Sequence, residues 1–348
     1  MKQPILEIKD LAVSFDTYAG EVQAVRGVSF SLSPGETLAI VGESGCGKSV
    51  SMQTIMGLLP SPPSRIKSGQ ILYEGVDLVT KTDKEMEAYR GKEFSMVFQD
   101  SMTSLNPTMR VGRQICEGII KHQHVSRAKA KEIAIDMLRK VGLPNPEQCY
   151  RRYPHTMSGG MRQRVMIAMA LCCHPKILFA DEPTTALDVT MQAQILDLMN
   201  NLKKTTGTAI VLVTHDLGVV AQMADRISVM YAGKIVESGT ADQIFYNPRH
   251  PYTWGLLGSM PSVAQSSNNA KSELMSIPGS PPDLFAPPKG CAFAARCPYA
   301  MTACQKVDAD TFTADDGHMV RCWLMDSRAP AVTPPVGRHS SQKKEENA

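Results

Sequence analysis

Apolar and polar residues alternate along the first 33 residues of the chain, as in Leu6-Glu7-Ile8-Lys9, with a turn over residues 16–20. This period of two predicts antiparallel strands with one buried face. Uninterrupted apolar runs follow at 37–41, 177–180 and 209–213, and such runs are typical of parallel strands that are covered on both faces. The pattern therefore predicts an antiparallel β layer followed by an α/β core.

Helical periodicity dominates from Leu105 to about Tyr153, which predicts a helical insert, about residues 100–165, between two halves of the core. The segments 226–231 and 234–237 have the pattern of two edge strands, and the segment 259–288 is rich in Ser, Pro and Asn. We therefore expect four parts: a main domain over 1–262, a linker over 263–288, a Cys-rich extension over 289–325, and a tail over 326–348 without fixed structure.

Charge and hydropathy disfavour some classes of function. The net charge is +3, with 37 Lys and Arg against 34 Asp and Glu, so there is no broad basic field and nucleic acid is disfavoured as the main partner. No run approaches the ~18 apolar residues that a membrane helix needs, and residues 1–10 lack the apolar stretch of a signal peptide. We expect a cytosolic chain that reaches a membrane only through partners.

Residues 42–49, Gly-Glu-Ser-Gly-Cys-Gly-Lys-Ser, have the spacing of a phosphate-binding P-loop. They lie between a predicted strand and a predicted helix, which is the context that the motif needs. The glycines let backbone N–H groups face the β- and γ-phosphates, Lys48 supplies a positive charge, and Ser49 offers a hydroxyl to Mg²⁺. The predicted nucleotide contacts in this segment and at the residue after it are Gly42, Ser44, Gly45, Cys46, Gly47, Lys48, Ser49 and Val50.

Polar residues stand at the ends of the later strands. Gln99 follows the apolar segment 94–98, Asp181 and Glu182 follow the run 177–180, and His215 follows the strand 209–214. In a doubly wound sheet such positions face the ligand crevice, and an acid pair near a P-loop indicates a role in holding metal and water.

Two further features point to nucleotide binding. Ser158-Gly159-Gly160 opens a helix with the composition of an anion-binding N-terminus. Phe15 is a candidate to stack on the base, with an ordinary core aromatic as the alternative. Tyr18 is the other aromatic residue that would suit this role.

Together these motifs resemble the ATP-binding cassette (ABC) ATPases over roughly residues 4–262. The resemblance implies an α/β P-loop NTPase with a mixed core sheet, an antiparallel β subdomain and a helical subdomain, here followed by a small Cys-rich extension. It also implies that two cassettes meet head to tail, with each ATP between one P-loop and the signature of the other chain.

The resemblance further implies a role for each residue of the site. The implied roles are Gln99 as the Q-loop residue and, with Ser49, a Mg²⁺ ligand; Ser158, Gly159, Gly160 and Gln163 as the signature facing the partner's ATP; Asp181 as the Walker B acid; Glu182 as general base; Asp188 in the dimer loop 186–188; and His215 as the switch histidine.

Three segments, 100–107, 158–164 and 247–253, resemble the dipeptide/oligopeptide/nickel importer subfamily, although Ser101 departs from the Pro that is usual there. Met161 departs from the Gln that is more usual in the ABC signature. The resemblance implies ATP-driven uptake of di- or oligopeptides from the cytoplasmic side of the bacterial inner membrane. It implies two transmembrane permease subunits, an extracytoplasmic binding protein and a second ATPase, with a heterodimer favoured over a homodimer.

Two alternatives stay open. The same machinery would serve nickel or a glutathione-like ligand. A soluble cassette ATPase acting on DNA, ribosomes or cofactor assembly is a different class, but the chain lacks the long inserts and the second cassette of such proteins.

Nine cysteines in a cytosolic chain are expected to be buried small hydrophobes, reactive thiols or metal ligands rather than disulfides. Packing as small apolar groups, or plain surface placement, is the favoured interpretation for the five that are spread through the ATPase region, namely Cys46, Cys116, Cys149, Cys172 and Cys173. The other four, Cys291, Cys297, Cys304 and Cys322, crowd into the tail. Four thiolates suit a [4Fe–4S] cluster or Zn²⁺. The cluster is favoured because similar cysteines recur in the extensions of peptide-importer ATPases, and no metal is the third possibility.

Overall fold

The computed structural model describes residues 3–99, 104–184, 188–260, 276–314 and 316–336, apart from the side chain of Leu202. Its strands, in chain order, are β1 (Leu6–Thr17), β2 (Gly20–Leu32), β3 (Thr37–Val41), β4 (Ser64–Tyr73), β5 (Val76–Asp77), β6 (Phe94–Val97), β7 (Ile177–Asp181), β8 (Ala209–Thr214), β9 (Arg226–Tyr231), β10 (Lys234–Thr240), β11 (Phe312–Thr313) and β12 (Met319–Val320). Its helices are α1 (Lys48–Ile55), α2 (Asp83–Met86), α3 (Val111–Gln123), α4 (Arg127–Lys140), α5 (Pro146–Arg151), α6 (Gly159–Leu171), α7 (Val189–Thr206), α8 (Leu217–Met223), α9 (Ala241–Tyr246), α10 (Pro251–Gly258) and α11 (Thr302–Lys306).

The N-terminal strands form an antiparallel sheet in the order β2-β1-β4-β5. Leu6 of β1 lies opposite Leu32 of β2 on one side and Tyr73 of β4 on the other. Leu6, Ile8 and the other apolar residues at alternate positions are buried in one core cluster. The alternation along the first 33 residues therefore predicted this layer and its buried face correctly.

The second sheet has the order β11-β12-β10-β9-β3-β8-β7-β6. Strand β3 is parallel to both β8 and β9, and β7 is parallel to both β8 and β6. Every residue of β3, β7 and β8 is buried, which explains the uninterrupted apolar runs. Because these strands are parallel, their carboxyl ends lie at one edge of the sheet, where the predicted P-loop, carboxylates and histidine follow them.

Helices α3, α4 and α5 pack together between β6 and α6, in the region where the sequence predicts a helical insert. Ile115 and Ile119 of α3, with Ala134 and Leu138 of α4, are completely or almost completely buried in a shared cluster. No helix in the described ranges combines the length and apolar character that crossing a bilayer requires.

The C-terminal extension, defined here as residues 276–336, joins the main sheet. Strand β12 pairs with β10, where Glu237 lies opposite Val320, and β11 pairs with β12. The prediction of β9 and β10 as edge strands is therefore wrong, because β9 lies between β3 and β10, and β10 is covered by β12. The local sequence pattern of β10 does not indicate that β12, about 80 residues further on, will pair with it.

The predicted linker and tail are described only in part, since residues 261–275 and 337–348 lie outside the described ranges. Within the described part of the linker, the Leu284 carbonyl accepts a hydrogen bond of 3.0 Å from the backbone N–H of Gln23 in β2. This end of the predicted linker is therefore attached to the ATPase core.

Candidate nucleotide-binding and hydrolysis site

The loop between β3 and α1 has the shape that phosphate binding requires. A Cβ atom added at Gly42 would lie 2.1 Å from the Met230 carbonyl oxygen, and one at Gly47, where φ is 102°, would lie 2.3 Å from the Ala24 carbonyl oxygen. No side chain fits at either position, so close backbone approach requires both glycines. The loop can thus present its own N–H groups, with the N-terminus of α1, to an anion.

Lys48 is the charged group of this loop and is only 6% exposed. Its Nζ donates hydrogen bonds of 2.8 Å to the carbonyl oxygens of Gly42 and Glu43. Ser44 and Gly45, at the tip of the loop, are exposed. The ammonium group is therefore held against the loop backbone, beside residues that are open to a ligand.

Two predicted nucleotide contacts have side chains that serve packing. Cys46 is 5% exposed, and burial raises the pKa of its thiol. Val50 is half-buried and packs against the core cluster that contains β1 and β3. At both positions only the backbone remains available to a phosphate group.

Ser49 and Asp181 form the first polar pair of the site. Ser49, in the first turn of α1, donates from Oγ to Oδ1 of Asp181 across 2.9 Å. Asp181 ends β7 and is 4% exposed, and burial raises the pKa of its carboxyl group while the hydrogen bond from Ser49 opposes that rise. A hydroxyl and a carboxylate oxygen at this distance are ligands that Mg²⁺ prefers.

Glu182 is the centre of a second polar group. Its carboxylate accepts a hydrogen bond of 2.8 Å from Nε2 of Gln99, and its Oε1 lies 2.9 Å from Nδ1 of His215. Its backbone has a φ of 46°, which side-chain-bearing residues rarely adopt, and its N–H donates to the Val213 carbonyl oxygen at 2.8 Å. Gln99 follows β6 and His215 follows β8, so three neighbouring parallel strands bring these groups to one edge.

The signature segment begins α6. Ser158 is exposed and caps the helix, with its Oγ accepting from the backbone N–H of Met161 at 3.4 Å; Gly159 is also exposed, and Gly160 is half-buried. Gln163 is turned inward, is 2% exposed and donates to the Pro183 carbonyl oxygen at 2.5 Å. Three of the four predicted signature residues thus lie where a partner can reach them, whereas Gln163 connects α6 to the loop after Glu182.

The remaining predicted site residues lie at the surface. Asp188 is exposed and caps α7 through a hydrogen bond of 2.9 Å from the backbone N–H of Met191 to its Oδ1. The rest of the predicted dimer loop, residues 186–187, lies outside the described ranges. Phe15 is half-buried on β1, and Tyr18 is fully exposed in the turn that follows.

The structure corrects the prediction for the tail cysteines. All four line one small cavity of the extension, yet among the described residues no group of three or more His, Cys, Asp or Glu side chains is arranged to hold a metal ion. The predictions of a [4Fe–4S] cluster and of Zn²⁺ are therefore wrong. Burial raises the pKa of Cys297 to about 11 and that of Cys322 to about 12, which favours protonated thiols that pack as small apolar groups.

Sequence reasoning missed the support behind the P-loop. The backbone N–H of Glu43 donates to the Tyr252 hydroxyl at 2.9 Å, and the Glu43 carboxylate pairs with Arg296 of the extension. The available signal was an acidic residue within a loop that binds negatively charged phosphates. Such a carboxylate is unfavourable there unless a cation neutralises it.

The comparisons with known proteins agree with this geometry. The profile of the ABC transporter family matches residues 25–185, and that of the oligopeptide/dipeptide transporter C-terminal region matches residues 236–304. Among solved structures, the ATP-binding cassette MJ0796, in a post-hydrolysis dimer bound to ADP and Pi, superposes with a TM-score of 0.62 at 26% identity, covering 68% of this chain and 98% of that one.

Curated relatives align over almost the whole chain. The oligopeptide transport ATP-binding protein OppD of Bacillus subtilis (strain 168) is 58% identical over 340 residues, which cover 98% of this chain and 94% of the relative. The dipeptide transport ATP-binding protein DppD of the same organism is 55% identical over 327 residues, which cover 94% and 96%. The chain belongs to the family of ATP-binding subunits of ABC oligopeptide and dipeptide transporters.

Proposed function

We propose that this chain is the ATPase of a peptide importer and that it couples ATP binding and hydrolysis to the uptake of di- or oligopeptides. One observation carries the catalytic part: the Glu182 carboxylate is bonded to both Gln99 and His215, beside the Ser49–Asp181 pair. The peptide part rests on relatives whose names specify oligopeptide and dipeptide transport. No observation favours nickel, a glutathione-like ligand or a DNA-directed role.

The P-loop is the proposed binding site for the triphosphate. The N–H groups of the loop and of the first turn of α1 would bind the β- and γ-phosphates, and Lys48 would add a positive charge after exchanging its carbonyl partners for phosphate oxygens. Phe15, half-buried on β1, is the proposed base contact, with Tyr18 as the alternative.

Ser49 and Gln99 are the proposed Mg²⁺ ligands, with Asp181 behind coordinated water. The close approach of the Ser49 hydroxyl to the buried Asp181 carboxylate supports this assignment. Mg²⁺, when bound there, neutralises charge on the β- and γ-phosphates. Asp181 would remain ionised beside a cation, because the positive charge offsets the effect of burial on its pKa.

Glu182 is the proposed general base. Its carboxylate would orient the attacking water and accept a proton from it as the bond from the water oxygen to the γ-phosphorus forms. The bond from the γ-phosphorus to the β,γ-bridging oxygen breaks in the same step, and ADP leaves. His215 contacts Oε1 of this carboxylate, whereas Gln99 donates to Oε2. This arrangement fits a positioning role for His215, since a carboxylate already occupies the place of the base.

The signature is proposed to serve a second cassette. Ser158, Gly159 and Gly160 lie at the N-terminus of α6, far along the sequence from the P-loop, and a partner can reach them. Asp188 is also exposed. We propose a head-to-tail dimer in which the partner is a related but different ATPase, with a homodimer as the alternative. The dimeric structure of MJ0796 bound to ADP and Pi supports the formation of a dimer.

We propose the remaining partners on the basis of family membership. The chain would bind, from the cytoplasmic side of the inner membrane, two transmembrane permease subunits that receive substrate from an extracytoplasmic binding protein. Its ATPase domain would span residues 1–262, and the Cys-rich part of its extension would span residues 289–325.

The test is a substrate screen on the reconstituted transporter. The chain, its permeases and its second ATPase are placed in vesicles with the binding protein, and ATP-dependent uptake of labelled dipeptides, longer peptides and Ni²⁺ is measured. The proposal predicts uptake of peptides only, with ATP consumed. Uptake of Ni²⁺ without peptide uptake, or failure of the chain to associate with permeases, would refute it.

A further inference from the structure

The second residue of the P-loop is held by the C-terminal extension. Arg296 donates from one terminal nitrogen to Oε2 of Glu43 at 2.6 Å and from the other to Oε1 at 2.9 Å. Such a bidentate pair fixes the orientation of both side chains. A segment 253 residues further along the chain thereby constrains the loop.

Arg296 is fully engaged in this position. Its side chain is 6% exposed, and its other hydrogen bonds go to the Tyr231 hydroxyl at 3.2 Å, to the Pro278 carbonyl at 2.7 Å and to the Ile277 carbonyl at 3.4 Å. A guanidinium has five N–H donors, and here five hydrogen bonds use them. The buried charge is therefore satisfied, and the direction of the fork is set by backbone as well as by Glu43.

A cluster of three aromatic residues, Tyr231, Tyr252 and Phe293, holds the backbone of Glu43. The Tyr231 and Tyr252 rings lie 4.5 Å apart, and each lies 5.3 Å from Phe293 of the extension. Tyr252 is completely buried and accepts the backbone N–H of Glu43. Glu43 is thus held by its side chain through Arg296 and by its backbone through Tyr252.

The contact continues to the phosphate-binding lysine. The Glu43 carbonyl oxygen accepts a hydrogen bond of 2.8 Å from Lys48 Nζ, so Arg296, Glu43 and Lys48 are consecutive members of one chain of polar contacts. The Glu43 side chain is 25% exposed. Without Arg296, the Glu43 carboxylate would be an unpaired negative charge beside the phosphate-binding loop.

We infer that Arg296 is a positioning residue for ATP binding: through Glu43, the C-terminal extension holds the P-loop in its phosphate-binding form and neutralises the one acidic side chain of that loop. The inference rests on the proposed function, because it assigns a role toward the nucleotide of that same site. It makes the extension part of the nucleotide-binding machinery of this chain.

The test compares variants that break the pair with one that breaks a different contact between extension and core. Arg296→Met removes the cation, Arg296→Lys keeps the charge without the fork, and Glu43→Gln keeps the shape while removing the anion. Lys234→Met is the matched control, because Lys234 of β10 pairs with Asp308 of the extension at 2.5 Å and both side chains are about one-fifth exposed. The measurements are the Kd of the full chain for a fluorescent ATP analogue with Mg²⁺, KM and kcat of the assembled transporter, and Tm.

The expected result is a rise of about tenfold in Kd and KM for Arg296→Met, within the range that coupled neighbours show, with kcat changed less. Arg296→Lys should recover part of the loss. Glu43→Gln should raise Kd less than Arg296→Met does. The double variant Arg296→Met/Glu43→Gln should recover part of the affinity for nucleotide, because Glu43→Gln removes the unpaired negative charge. Lys234→Met should lower Tm without raising Kd.

Equal Kd and KM in wild type, Arg296→Met and Glu43→Gln would overturn the inference and leave Arg296 as a structural anchor. If Arg296→Met does not fold, Glu43→Gln decides: an unchanged Kd together with no loss of affinity in Arg296→Lys overturns it. A wild-type chain that binds no nucleotide would instead refute the proposed function, so the two failures are distinguishable.

Discussion

Gln99 and His215 bind the two carboxylate oxygens of Glu182 from opposite neighbouring strands, with Gln99 Nε2 at 2.8 Å and His215 Nδ1 at 2.9 Å. The carboxylate therefore has a fixed orientation before a nucleotide arrives. Its side chain is 15% exposed and that of His215 is 63% exposed, so the histidine lies on the open side of the site and Glu182 lies beneath it.

Replacing Glu182 by Gln should separate binding from hydrolysis. The amide keeps the shape and can still accept from Gln99, but it cannot take a proton from water. We expect kcat of the assembled transporter to fall by about 10²–10⁴-fold, the usual contribution of one general base, while the Kd for ATP stays near that of wild type. A turnover close to wild type would show that another group is the base.

Replacing Lys48 by Ala should weaken nucleotide binding itself. The variant loses the positive charge held beside the loop and leaves the carbonyl oxygens of Gly42 and Glu43 without this donor. We expect the Kd for ATP to rise by at least about tenfold, as loss of a charge-assisted hydrogen bond of 1.5–3 kcal/mol implies. Titration with a fluorescent analogue measures it, and Lys129→Ala, at an exposed position of α4, is the control that should bind normally.

A carboxylate in the signature should act on the partner's site. Gly160→Asp places a negative charge at the N-terminus of α6, where the backbone favours an anion. We expect the isolated chain to bind ATP as before, and the assembled transporter to lose hydrolysis at the site formed with the partner's P-loop. Wild-type hydrolysis by a strictly monomeric sample would contradict this prediction, as would weakened ATP binding by the isolated variant.

Stability should depend on pH through His250. This side chain is 1% exposed, and burial lowers its pKa from 6.5 to about 4. Between these values the unfolded chain binds a proton that the folded chain does not. Stability is therefore fully present above about pH 6.5 and declines as the pH falls toward 4, by up to about 3 kcal/mol.

The variant His250→Asn tests this assignment. Nδ1 of His250 accepts the backbone N–H of Tyr252 at 3.0 Å, and the Asn side-chain oxygen can replace that acceptor without titrating. Urea denaturation at pH 7.5 and pH 5 should show a smaller acid-induced loss for the variant than for wild type. Equal losses would assign the acid sensitivity to other groups.

The sequence was most informative where a function imposes both residue type and spacing. The P-loop, Gln99, the acid pair and His215 could all be placed because each follows an apolar run, and parallel strands must end at one edge of the sheet. The assignment needed no knowledge of packing between distant segments.

Long-range packing limited the other predictions. Gln163 follows two exposed signature positions, yet the 3.6-residue turn of α6 directs its side chain toward Pro183 and the interior. The four tail cysteines are close in space, but their spacing could not indicate whether they are packed as thiols or ligate a metal. Arg296 was missed because nothing near it in sequence suggests that its partner lies in the P-loop.

The pairing of β10 with β12 also bears on synthesis of the chain. Ser238 of β10 lies opposite Met319, about 80 residues later, so the ribosome makes the whole ATPase core before the strand that covers this edge. At 5–20 residues per second the edge of β10 stays uncovered for roughly 4–16 s. During that interval nascent chains on one polysome expose a strand able to pair with its neighbours, and chaperone demand should concentrate on this late stage of translation.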